Sequence, residues 1–153
     1  MTGTEGNGYW RLIEPVWHRV RIYDGPRAFT EQFEQISVSQ QNLLASHWCK
    51  SEVCNGGFHQ FFMNPTGLLS PEAADAFSNI GLPETAAIVR QAMAFFGPEF
   101  PRDQHVRQAA LEAVKGESRA QWDPFFSLDD RFYASLDDRG GYEAIANQYA
   151  AIV

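Results

Sequence analysis

The stretch Ser51-Glu52-Val53-Cys54-Asn55-Gly56-Gly57-Phe58-His59-Gln60-Phe61-Phe62-Met63-Asn64 constrains the fold more than any other part of the chain. Phe58, Phe61 and Phe62 recur at i, i+3 and i+4, which places them on one face of a helix rather than on alternate faces of a strand. Gly56 and Gly57 would each weaken a helix interior by about 1 kcal/mol relative to alanine. They therefore predict a break between a helix ending near Cys54 and one starting near Phe58, where the missing Cβ atoms let backbones approach closely. Asn55 suits the N-cap of the second helix, and the Glu52 carboxylate can accept from the free backbone N–H groups at its positive end. Gln60 and Asn64 face away from Phe61. This pattern reads as a buried polar clamp, with a ligand or partner pocket lined by Glu52, Asn55, Gln60 and Asn64 as the alternative.

Helical spacing continues on both sides of this centre. Tyr9, Leu12, Ile13, Val16, Trp17 and Val20 predict a first helical arm that Pro15 kinks or splits. Pro26 opens a helix with Phe29, Phe33 and Ile36 inside, and Ser37 or Ser39 caps the next, whose stripe Leu43, Leu44, His47, Trp48 and Ser51 leads into the glycines. Ser70-Pro71-Glu72 supplies an N-cap, a first-turn proline and a first-turn carboxylate, and Gly81 stops that helix. Pro83 starts another. A helix from Arg102 to Lys115 is expected to bury Val106, Ala109, Ala110, Leu111 and Val114, with Gly116 closing it. Trp122, Phe125, Phe126, Leu128, Phe132, Tyr133 and Leu136 are threaded through aspartates, and a last helix carries Tyr142, Ile145, Tyr149 and Ile152. No run alternates β-branched residues as a strand would. The expectation is an all-α, single compact domain of about seven to nine helices over 9–153, behind a flexible start at 1–8.

Charge narrows the partners. Nineteen acidic against twelve basic residues give −7. Residues 1–27 hold three of the acids and four of the bases, leaving sixteen acids and eight bases for 28–153. Such a balance disfavours nucleic acid and anionic membranes and favours basic proteins. The start lacks a basic segment followed by an apolar one, and no apolar run approaches a membrane span, so a cytoplasmic location is expected.

His47, Cys49, Cys54 and His59 could ligate zinc, but His47 and Cys49 diverge by about 200° around a helix, so neither metal nor cofactor is expected. A nucleophile pair from Cys54 and His59 lacks an orienting third group. No phosphate-cradling loop and no basic cluster is present.

The sequence Glu52-x-x-Asn55-Gly56-Gly57-Phe58-x-Gln60-Phe61-Phe62-x-Asn64-x-x-Gly67, followed by Ile80-Gly81-Leu82-Pro83 and Phe100-Pro101-Arg102, resembles a bacterial all-helical family of unknown function that includes a DNA-mimic protein. The likeness runs from about Tyr9 to Tyr149. It implies a non-enzymatic protein whose surface carboxylates, arranged like phosphates, occupy the DNA site of a basic DNA-binding protein, and it admits a homodimer. Asp129, Asp130, Asp137 and Asp138 are the candidate acidic face, expected to stand along one continuous helix.

Overall fold

A computed structural model describes residues 8–114 and 123–153. The expected flexible start, Gly116 and Trp122 fall on or among residues outside these ranges, Gly8 excepted. The helices are α1 (Trp10–Ile13), α2 (Pro26–Phe33), α3 (Val38–Met63), α4 (Ser70–Ile80), α5 (Pro83–Met93), α6 (Gln104–Glu112), α7 (Phe126–Leu136) and α8 (Tyr142–Ile152), joined in places by short 3-10 turns. No strand occurs among the described residues. The all-α expectation holds.

α3 is the axis of the fold, packing against α1, α4, α6 and α7, while α4 packs on α5 and α5 on α7. It begins with a reciprocal cap: the Gln40 N–H donates to Ser37 Oγ at 3.1 Å, and the Ser37 N–H donates to Gln40 Oε1 at 3.0 Å. Phe58, Phe61 and Phe62 have no exposed surface. Phe58 meets Phe132 edge-on at 5.3 Å, and Phe62 meets Phe96 and Phe125 at 5.1 Å each, so the second half of α3 anchors an aromatic core shared with α7. The first half is tied to α8 by polar pairs, with Ser46 Oγ 2.8 Å from Tyr142 Oη and Asn42 Nδ2 donating to Tyr149 Oη at 2.9 Å.

Two local expectations are corrected. Ser70 does not cap α4; its hydroxyl donates to the Gly67 carbonyl at 2.7 Å, because the preceding 3-10 turn runs directly into the helix. α6 starts later than expected, capped by Asp103, and turns Arg107 and Leu111 inward while Val106 is 52% exposed. Leu111 is buried as expected, whereas Val106, Ala109 and Val114 are exposed, because Arg107 takes an inner position that hydropathy assigns to the surface.

At the α1 end, His47 sits among Tyr9, Trp10 and Trp17, with ring centroids 5.5 to 5.8 Å away, and its Nδ1 is 3.0 Å from Tyr9 Oη. Burial, aided by Lys50, lowers its pKa to about 4. Between pH 6.5 and 4 the unfolded chain therefore takes up a proton that the folded chain refuses, and stability falls as pH drops through that window. His47→Phe should remove about 2 to 3 kcal/mol of that pH-dependent loss. Urea titrations of both proteins at pH 7 and pH 4 measure it, and equal pH dependence would show that His47 is not held neutral.

Candidate functional site: the glycine break and the exposed edge of α7

The break falls where the two glycines predict it, and each glycine is required for a different reason. Gly57 has φ 79° and ψ 177°, a conformation essentially restricted to glycine. Gly56 has φ −150°, which any residue tolerates, but a Cβ there would lie 2.7 Å from Gln60 Cδ. The Gln60 amide occupies that space because it is held from two sides. Its Nε2 donates to Glu52 at 2.7 Å and its Oε1 accepts from Asn55 Nδ2 at 3.3 Å.

Glu52 is the hub of the clamp. Its carboxylate accepts from Gln60 Nε2, from Asn64 Nδ2 at 3.2 Å and from Thr66 Oγ1 at 2.9 Å. The structure thus corrects the expectation that Glu52 receives backbone N–H groups: the carboxylate is taken by three side chains. Asn55 does not cap the second half-helix either. That role belongs to Asp129, whose Oδ1 accepts the Phe58 N–H at 2.9 Å across 71 residues of sequence. One turn further along α7, Tyr133 Oη donates to the Val53 carbonyl at 3.1 Å. The i and i+4 positions of one helix therefore bind a donor on one side of the break and an acceptor on the other.

The far end of α3 is closed by Arg107, which has no exposed surface. Its guanidinium donates to the carbonyls of Phe62 (2.8 Å), Asn64 (2.9 Å), Arg102 (2.6 Å) and Pro101 (3.2 Å). A cation at the negative end of a helix is favourably placed. Burial lowers its pKa to about 10, so it stays charged at neutral pH. Gly67 belongs to this arrangement, since a Cβ there would lie 2.6 Å from the Phe61 carbonyl oxygen and 2.9 Å from Arg107 Nε.

The predicted acidic face divides. Asp129 is 7% exposed and is consumed by the capping contact, so it does not stand on the surface with its neighbour. Asp130 is exposed, and Asp137, the C-cap of α7, is exposed too. The helix ends there: Asp138 begins a separate 3-10 turn rather than continuing a ridge, and its side chain lies outside what the structure describes. Asp130 and Asp137 are seven residues apart, which puts them on one side of the helix about 10 Å apart along its axis. Phe126 and Tyr133, 50% and 37% exposed, occupy the same stripe. Glu84 and Asp137 line one concavity together with Arg139, and Asp137 and Glu143 line another together with Lys50, so carboxylates reach the starts of α5 and α8 beside two cations. Among the described residues none of Asp130, Asp137, Glu84 and Glu143 makes an ion pair, whereas Glu72 and Asp75 are paired with Arg102 and Arg90 at 2.7 and 2.9 Å.

A family model described as DMP19-like protein matches residues 34–151, most of the chain. This chain belongs to that family. No curated protein and no solved structure matches it. The DMP19-like region takes in the glycine break, the Glu52 clamp, Arg107 and the whole of α7, and leaves out α1 and α2. Of the expected pocket residues, Glu52, Asn55 and Gln60 line an open concavity with Trp48, Lys50 and Cys54, while Asn64 does not border it and is bonded to Glu52 instead. His47, Cys49, Cys54 and His59 form no cluster suited to a metal ion among the described residues. No helix among those residues is long and apolar enough to cross a membrane. Thr66, Arg107 and the capping role of Asp129 were missed by sequence reasoning. The only signal for Asp129 was the exposed donor that any helix break must create.

Proposed function

We propose that this chain is a non-enzymatic interaction protein that occupies the DNA-binding surface of a basic cytoplasmic protein, such as a transcription regulator, in place of DNA. The observation that carries the reading is the spacing of the exposed carboxylates on α7 and at its C-cap, which have no ion-pair partners among the described residues. Asp130 and Asp137 are separated by about 10 Å of helix axis, close to three phosphate steps of one DNA strand. Glu84 and Glu143 add carboxylates beside Asp137, and the family assignment fits this use of the surface. A surface that competes with DNA needs charge at phosphate-like intervals on a rigid support, and α7 is made rigid by Phe132 in the core and by its two bonds across the break.

The test is retention of proteins from the source organism's cytosolic extract on immobilised chain, followed by displacement with duplex DNA. Under this reading a retained protein is released by duplex DNA and by moderate salt. The triple variant Asp130→Asn, Asp137→Asn, Glu84→Gln, which spares buried Asp129, retains about tenfold less of it while keeping the wild-type circular dichroism. Retention that duplex DNA does not compete, or that the triple variant keeps in full, would overturn it.

A further inference from the structure

The edge of α7 that carries Asp130 also borders a concavity of about 260 Å³ against the α3 break. Gly56, Gly57, Phe126 and Tyr133 line it together with the carboxylates of Asp129 and Asp130. No cation lines it. Its volume is below the roughly 300 Å³ typical of the smallest ligand sites, which suits one side chain better than a free metabolite. Its chemistry is an aromatic face on either side of negative charge. Asp129 already binds the Phe58 N–H and contributes charge from beneath, whereas Asp130 is exposed at the rim.

We propose that this cleft receives a single arginine side chain of the basic partner, its guanidinium pairing with Asp130 and lying against the rings of Phe126 and Tyr133. Charge complementarity selects a cation, and the aromatic walls select arginine over lysine, because a planar, weakly hydrated guanidinium stacks on rings while a compact ammonium keeps its water. The inference rests on the reading that the acidic face docks a basic protein, and it names what that face holds first.

The experiment is a titration of the ¹⁵N-labelled protein with a blocked Gly-Arg-Gly peptide, and with the same peptide carrying neutral citrulline in place of arginine. The arginine peptide should shift the amide signals of Gly56, Gly57, Asp130 and Tyr133, and the citrulline peptide should not. Phe126→Ala and Asp130→Asn, both changes at exposed side chains, should each weaken the arginine peptide by about threefold or more, while Glu99→Gln on the distant loop before α6 leaves it unchanged. Shifts spread evenly over exposed carboxylates, equal binding of citrulline, or full binding by Phe126→Ala would overturn the cleft. Those results would not touch the DNA-mimic reading, which duplex displacement scores independently. Loss of duplex displacement with local arginine shifts intact would leave the cleft standing and remove the mimicry.

Discussion

Replacing Gly57 by valine should lower the stability of this protein by at least about 3 kcal/mol, a fall of roughly 10 °C in the thermal midpoint for a chain of this length. The backbone at Gly57 has φ 79° and ψ 177°, where a Cβ is strained and a β-branched side chain more so. Relaxing that strain means rotating the second half of α3, but Phe58, Phe61 and Phe62 are fully buried in it and the Phe58 N–H is held by Asp129. The strain and the core therefore oppose each other, and neither can be relieved alone. Gly57→Ala should cost nearly as much, since the penalty starts at Cβ. Gly56→Ala should act differently, by pushing the Gln60 amide off its contacts with Glu52 and Asn55. Thermal unfolding followed by circular dichroism measures all three, and a Gly57→Val midpoint within error of wild type would remove the break from its structural role.

Arg107→Met should be of similar size, about 3 to 5 kcal/mol. The apolar replacement fills much of the same volume, so the loss reports the carbonyls of Phe62, Asn64, Pro101 and Arg102, which the guanidinium alone brings together. Removing the cation takes a donor from four carbonyls, of which that of Asn64 keeps the Gly67 N–H and that of Phe62 is buried, and losing the donor of a buried acceptor is the costly side of a hydrogen-bond deletion. Arg107→Lys should recover only part of the stability, because a single ammonium cannot present a planar fork to four acceptors. Denaturant unfolding of the two variants decides this, and lysine restoring wild-type stability would show that charge matters here rather than the fork.

These two residues also show what could be read from the chain and what could not. Gly57 was legible because two adjacent glycines interrupt an otherwise regular aromatic spacing, and local backbone preference is written in consecutive residues. The Glu52 clamp was half legible: the polar residues stood out, but their pairing depends on how far the chain turns after the break. Arg107 was hidden because its neighbours Val106 and Ala110 offer a plausible apolar face, and hydropathy cannot recognise a cation whose partners are backbone carbonyls. Asp129 was hidden in another way. Beside Asp130 it looks like one of a pair of surface charges, yet one residue's difference on a helix turns a side chain by about 100°, from solvent into the core. The wider fold was legible because capping residues, prolines and glycine stops mark the helix ends; Ser37, Pro26, Pro83 and Gly81 all act as their types predict.

The two bonds from α7 across the α3 break span 71 and 80 residues of sequence. During synthesis both halves of α3, and the α4–α5 pair that packs against them, leave the ribosome well before Asp129 and Tyr133 exist. The halves can each coil locally, since helix growth is fast and short-ranged, and Glu52 can reach Gln60 and Asn64 across the break, but the Phe58 N–H and the Val53 carbonyl gain their α7 partners only when the last quarter of the chain arrives. The same late segment carries the exposed carboxylates of Asp130 and Asp137, so the two long-range bonds at the break and that acidic stripe arrive together. A nascent or truncated chain that lacks this segment has neither.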